Sequence, residues 1–289
     1  MSDFLQLLIA GATTGSIYGL IGLTFTLTYN ATKLPNLTLG EFVMIGAMLA
    51  VLSFSVWKLP MVVAFPFIIL AGGACGVVFD RLVTAPMRNA GMPMTSQITA
   101  TIAAAIVISS GMAQIAGVRQ LGLPAQFQGG VIRMGELSIL PQNLAVIVIT
   151  ALIGIGLWLF LSRTRFGLSI VATGYNPTAA RLVGIKVSYV FLAAFALSAV
   201  IAALAGAIVA PIISASAYMG LNIAIKGFIA AVVGGMGRPI FALVGGLVVG
   251  VCETMMSGYV SSAFNEVITL GLMLAVLMAR PTGLLGERT

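Results

Sequence analysis

From residue 4 to residue 32 the chain carries no charged side chain, and similar stretches follow at 59–79, 89–118, 137–162 and 187–225. Each is long enough for the ~20 apolar residues with which an α-helix crosses ~30 Å of hydrocarbon. A shorter uncharged stretch, 42–57, lies between the first two. No water reaches the bilayer core to satisfy backbone N–H and C=O groups, so runs of this length fold as helices. Composition agrees: 60% of the 289 residues are hydrophobic and 7% charged, where a soluble domain carries about 25% charged residues. The expected fold class is all-α, a polytopic membrane helix bundle of about 8–10 spans with broken or re-entrant helices. Residues 4–32 lack a basic region ahead of them and outrun the ~7–15-residue core of a signal peptide, which makes them a membrane helix rather than a leader.

Nine crossings are expected, near 5–29, 38–57, 60–82, 95–117, 142–162, 189–210, 222–236, 240–258 and 264–280. With the N-terminus outside, Lys33, Arg81, Arg88, Arg163, Arg165, Arg181, Lys186, Arg238, Arg280 and Arg288 fall inside, and Lys58, Arg119, Arg133 and Lys226 outside. That asymmetry makes the C-terminus cytoplasmic by the positive-inside rule. It also accounts for the net charge of +7 as topogenic, with no basic block of the kind that binds nucleic acid. If 222–236 is a re-entrant half-helix, the count falls by one. Gly11, Gly15 and Gly19 recur every four residues, as do Gly72 with Gly76 and Gly246 with Gly250. Such spacing lines one helix face with small residues and lets a neighbouring backbone approach.

Histidine is absent and the two cysteines, Cys75 and Cys252, stand in apolar runs. This composition offers no Ser-His-Asp triad, no His metal site and no disulfide or cysteine-rich zinc framework. No Lys follows a Gly, so there is no phosphate-binding GxxxxGK[ST] loop. An enzyme is therefore not expected, nor a cofactor or metal site. Energy from ATP would have to come from another chain.

Three regions depart from plain spans. In 163–186, Asn176 suits a helix N-cap, Pro177 the first turn, and Gly184 a left-handed end. They frame a helix of about two turns with Ala179 and Ala180 on a smooth face. Either a protein partner or the lipid headgroups would hold so short a helix. In 33–41, Pro35, Asn36 and Gly40 break the chain, and Glu41 opens the next helix, where the dipole favours a carboxylate. Thr38 and Glu41 are structural, or they line a substrate path beside a broken helix. Lys226 is an isolated charge that either snorkels or serves function, and Glu253 is the deeper intramembrane charge with Lys226 as the partner to test.

Several of these segments together resemble the membrane permeases of ABC importers for branched-chain and other hydrophobic amino acids, of the smaller, LivH-type subunit. Gly15-Ser16-Ile17-Tyr18-Gly19-Leu20-Ile21 is similar to the family's first helix, and Asn36 through Glu41 to its Asn-Phe-Ala-His-Gly-Glu segment. Arg163-Thr164-Arg165-Phe166-Gly167, Asn176-Pro177, Ala179-Ala180-Arg181-Leu182 and Gly184-Ile185 resemble its cytoplasmic loop. Met219-Gly220, Lys226, Gly234-Gly235, Gly245-Gly246, Glu253 and the ending Arg280-Pro281-Thr282-Gly283-Leu284-Leu285-Gly286 follow in the family's order. Leu39 stands where the family has His, and Tyr175 and Thr178 stand where it commonly has acids.

The resemblance implies one permease domain over 1–289, with residues 162–188 as a cytoplasmic loop holding a coupling helix. Arg163, Arg165, Asn176, Pro177, Ala179, Ala180, Arg181 and Gly184 would be the ATPase contact. Thr38, Glu41, Lys226 and Glu253 would be pathway residues. It also implies a second, LivM-type permease, two ABC ATPase subunits that bind the ATP, a periplasmic substrate-binding protein, and a bacterial inner-membrane location. The alternatives are a secondary active transporter, which also uses broken helices and buried ion pairs, or the same kind of permease for another small polar or aromatic substrate. An intramembrane enzyme would have to rest on Glu41 and Glu253 without a nucleophile.

Overall fold

The computed structural model describes residues 2–126, 132–134, 137–262, 265–280 and 283–285. Pro281, Thr282, Gly286 and Arg288 lie outside the described residues. The helices are α1 (Ser2–Thr32), α2 (Leu39–Val51), α3 (Met61–Phe79), α4 (Ala85–Asn89), α5 (Met94–Ala116), α6 (Pro141–Arg163), α7 (Arg165–Tyr175), α8 (Pro177–Leu182), α9 (Val187–Ile213), α10 (Met219–Gly234), α11 (Pro239–Tyr259) and α12 (Asn265–Ala279). Two π-helical turns, Leu52–Val56 and Asp80–Thr84, extend α2 and join α3 to α4. A small antiparallel hairpin, β1 (Ile132–Met134) with β2 (Leu137–Ile139), stands between α5 and α6 with Arg133 opposite Ser138.

The protein is an all-α, multi-pass membrane protein, and seven helical segments among the described residues are long and apolar enough to cross a bilayer. The crossings expected at 222–236 and 264–280 are shorter helices, α10 and α12, of 16 and 15 residues. At 1.5 Å per residue these rise about 24 and 22 Å, less than a ~30 Å core. Gly235 and Gly237, at φ of 114° and 121°, end α10 and turn the chain into Pro239 at the start of α11. Proline also sets other boundaries. Pro60 and Pro93, both extended, precede α3 and α5, where a missing N–H leaves no intrahelical bond unmade.

By packing, the chain forms two compact units. One gathers Met1–Leu23, Pro124–Gly156 and Lys226–Thr289, and the other Thr24–Leu123 and Leu157–Ile225. α1, α6 and α10 each give one stretch to each unit.

In the first unit the glycine stripe of α1 meets that of α11. A Cβ on Gly11 would lie 2.8 Å from Val251 Cα, one on Gly15 2.7 Å from Gly246 O, and one on Gly19 2.9 Å from Leu243 Cα. The backbone of Gly15 likewise fills the place of a Gly250 side chain. Between helices in lipid there is no hydrophobic gain, so contact this close is where dispersion and polar attraction act.

The second unit is built round α9, which packs on α2 and α3. Gly46 faces Ala203, Gly206 faces Val43 and Ala47, and Gly76 faces Phe195 O. Of the most apolar 18 residues, 67% are buried in α2 and in α9, against 11% in α5, so α9 and α2 are central and α5 is peripheral. A backbone pairing of Leu121 with Ala215 ties the chain after α5 to the chain after α9.

Gly15→Ala is expected to lower the detergent-solubilised Tm, with an overpacking cost of about 1–3 kcal/mol. Gly111→Ala, on α5 with nothing within 4 Å, is expected to hold or raise it through helix propensity. Equal shifts for the two would mean that the α1–α11 contact is not limited by the backbone.

Candidate functional site

The crossing of α1 with α11 also positions charge. Tyr18 follows Gly15 by three residues and Glu253 follows Gly250 by three, so each polar group stands one turn along from the contact. Lys226 is the neighbour of Gly227, whose missing side chain is replaced by Ile21 of α1. Lys226 Nζ donates to Tyr18 Oη at 3.0 Å and to Glu253 Oε1 at 2.5 Å, and lies 5.2 Å from the Tyr18 ring centroid. The side chains are 18% (Lys226) and 7% (Glu253) exposed. Glu253 Oε2 is buried with no hydrogen-bond partner. Lys226 is thus held by two buried groups. Tyr18 escaped the sequence reading. Its signal was a phenol inside a Gly-x-x-x-Gly stripe, where apolar residues would pack equally well.

Thr38 and Glu41 belong to the other unit. The Thr38 N–H donates to Asn36 Oδ1 at 3.0 Å, and its hydroxyl donates to Thr101 O at 2.8 Å, tying the start of α2 to α5. Thr38 precedes α2 with helical backbone angles and makes no side-chain cap bond. Glu41 is 2% exposed and its carboxyl group packs against Gly220, in the first turn of α10. A Cβ at Gly220 would come 2.6 Å from Glu41 Oε2, an atom that is buried and unpartnered. Asn36 Nδ2 is buried and unpartnered as well.

Residues 163–186 form two helices rather than one. α7 was missed. Its signals are the Thr164 cap, which accepts from the Gly167 N–H at 2.9 Å, and buried residues at 167, 170, 173 and 174 on one helical face. Gly174 takes the Asn30 carbonyl against its Cα, seating α7 on the last turns of α1. In α8, Asn176 Oδ1 accepts from Thr178 N and Ala179 N, both at 3.0 Å, and Gly184 takes φ of 87° just past the end. Arg163 ends α6, and Arg165 opens α7.

One expected contact residue is corrected. Ala180 is 3% exposed and turned inward, and α8 packs on α7 and on α9. The outward surface is made by Pro177, Thr178, Ala179 and Arg181 with three large side chains: Tyr175 at 86%, Leu182 at 85% and Val183 at 78% exposed. Sequence spacing could not assign which face of a six-residue helix points outward.

The profile of the family described as branched-chain amino acid transport system / permease component matches residues 7–277. The chain is 29% identical over 297 residues to the high-affinity branched-chain amino acid transport system permease protein LivH of Salmonella typhimurium, covering 98% of this chain and 96% of that protein. It is 31% identical over 299 residues to the corresponding protein BraD of Pseudomonas aeruginosa, with the same coverage. Among solved structures, PsaBC from Streptococcus pneumoniae in complex with Fab superposes with a TM-score of 0.52 at 12% identity, over 96% of this chain and 92% of that one, a likeness of fold.

Lys226→Met and Glu253→Gln each strand one member of a buried pair, a loss of about 3–5 kcal/mol when burial is complete and less for the partly exposed Lys226. The double variant is expected to be more stable than the sum of the singles, and Tyr18→Phe to cost about 0.5–1.5 kcal/mol. Thermal melts arranged as a double-mutant cycle measure this, and additivity would show that the contact carries no coupling.

Proposed function

The chain belongs to the permease components of branched-chain amino acid transport systems, and on that premise we propose that it forms half of the translocation pathway of a binding-protein-dependent ABC importer. The cargo is a branched-chain or related hydrophobic amino acid. A second permease of the LivM type supplies the other half. Two ABC ATPase subunits bind and hydrolyse the ATP, so this subunit carries no catalytic residue and no cofactor of its own. A periplasmic binding protein delivers the cargo to the outer face. The chain acts as one permease domain over 1–289 in a bacterial inner membrane, with its C-terminus cytoplasmic.

The observation that supports the reading best is the pairing of near-full-length similarity to LivH and BraD with an exposed short helix, α8. In this reading the ATPase grips Tyr175, Ala179, Arg181, Leu182 and Val183, and Arg163, Arg165, Asn176, Pro177 and Gly184 set the shape and charge of the segment. Ala180 serves by holding α8 in place. The apolar knobs suit an interface core, where large side chains filling pockets carry most of the binding energy. Thr38, Glu41, Lys226 and Glu253 are the pathway residues. Glu41 and Glu253 each keep a carboxylate oxygen free for a donor such as a substrate ammonium group.

Leu182→Asp is expected to abolish co-purification of the ATPase subunits while leaving membrane insertion intact. Asn176→Ala removes a cap worth about 0.5–2 kcal/mol and should weaken co-purification only partly. Ala180→Glu is expected to unseat α8 and so lower the Tm as well. Affinity purification in mild detergent, with identification of the accompanying subunits and measurement of ATP-driven uptake of leucine, tests the set. Unaltered ATPase recovery with Leu182→Asp would overturn the docking assignment. Concentrative uptake by this chain alone would overturn the ABC reading, and uptake of a polar or aromatic compound in place of leucine would move the cargo class.

A further inference from the structure

The junction of α3 with α4 holds a buried polar cluster to which the transport reading gives no task beyond the topogenic charge of Arg88. Asp80, 2% exposed, opens the π-helical turn Asp80–Thr84. Thr84 and Arg88 follow it at i+4 and i+8 and converge on the same oxygen: Thr84 Oγ1 donates to Asp80 Oδ1 at 2.5 Å and Arg88 Nη1 at 3.2 Å. The guanidinium carbon of Arg88 also lies 4.5 Å from the ring centroid of Phe191, which is 5% exposed near the start of α9. One turn further along α9, Phe195 meets Phe79 with ring centroids 5.9 Å apart. Arg88 is therefore shared between a carboxylate on one element and an aromatic face on another.

The neighbours of this cluster give it reach. The π-helical turn packs on both α9 and α5, and α7 and α8 pack on α9. Ala180 is seated inward, and its carbonyl accepts from Ile185 N at 3.0 Å, just ahead of α9. The exposed face of α8 is thus joined to the root of α9, and one of the contacts that leads onward from there is Phe191 on Arg88. π-Helical turns are uncommon and concentrate at functional sites, because the widened turn is a place where a helix can change register. Arg suits the position in a way Lys does not: its planar group both stacks on an aromatic face and pairs with a carboxylate.

We propose that Arg88 is a positioning residue, a latch through which movement of α7–α8 is passed to the π-helical end of α3 and the root of α5. The inference rests on the reading of α8 as the ATPase contact, but the latch itself lies wholly within this chain and can be read there.

The test uses the assembled complex, with Cys75→Ala and Cys252→Ala as background and spin labels placed at the exposed positions of Leu168→Cys on α7 and Met92→Cys ahead of α5. Distances between the labels are measured with and without Mg-ATP and vanadate, beside leucine uptake per ATP hydrolysed. The parent is expected to give one narrow distance population that moves as a whole on adding nucleotide. Arg88→Met should broaden it, abolish the concerted shift, and lower the uptake-to-hydrolysis ratio about tenfold, the factor equivalent to 1.4 kcal/mol. Arg88→Lys, which keeps the charge but not the plane, should fall between. Phe191→Leu keeps the ion pair and removes the ring, and it should reproduce the broadening even if Arg88→Met fails to fold. A parent-like distance population and ratio in both Arg88→Met and Phe191→Leu would overturn the latch. If the ATPase never accompanies the chain, the docking reading fails instead, and the label distances without nucleotide still decide whether Arg88 links the two elements.

Discussion

Everything in the first unit depends on one contact: the backbone of α1 lying against the backbone of α11, with Gly11, Gly15 and Gly19 facing Leu243, Gly246 and Val251. Lipid tails are as apolar as leucine, so helices in a bilayer are not driven together by escape from water. They associate where their surfaces let many atoms touch, and glycine permits that by removing the side chain that would hold the axes apart. The polar triplet of Tyr18, Lys226 and Glu253 depends on the same geometry. With any side chain at Gly15 or Gly250 the helices would separate and the phenol and carboxylate would no longer share one ammonium group. Small residues thus act at a distance on charge.

The charges follow a common rule in both units. An ionised group at the centre of a membrane helix costs about 2.5–3.5 kcal/mol to insert, so it needs a reason and a partner. Lys226 has Tyr18 and Glu253, and Asp80 has Thr84 and Arg88. Each acid shares its cation or its bonds with an aromatic ring nearby, Tyr18 in one case and Phe191 in the other. Glu41 departs from the rule, buried against Gly220 with an oxygen left without a partner. That separates Glu41 from the two acids that each share a cation, although Glu253 also keeps an oxygen, Oε2, without a hydrogen bond.

How much was legible in the sequence follows from the range of each interaction. Helix existence was readable, because uncharged length is a property of one segment and the bilayer converts it directly into a helix. The Asn176 cap and the Gly184 terminus were readable for the same reason, since a cap spans three or four residues. The glycine registers were visible as stripes, but which stripe faces which is a fact about residues far apart in the chain. The inward turn of Ala180 was hidden because a helix of six residues has too few positions to define a face. Tyr18 and Phe191 were hidden because an aromatic ring in an apolar run looks like filler until its partner is known. The π-helical turns left no mark in the hydrophobic pattern, as each adds only a slight change of period.

The first unit takes its α1 portion from the beginning of the chain and the rest from much later, and this has a consequence for how the protein is made. Gly15 and its partner Gly246 are roughly 230 residues apart, which at about 5–20 residues per second separates their synthesis by on the order of 10–50 s. Throughout that interval the glycine face of α1 is in the membrane without the surface it fits. An exposed small-residue stripe is adhesive toward any other helix of similar relief. Biogenesis therefore requires either that the insertion machinery shelter α1 until α11 emerges, or that α1 rest on provisional neighbours and exchange them. The close fit that holds the finished unit together makes its first helix the most vulnerable during assembly.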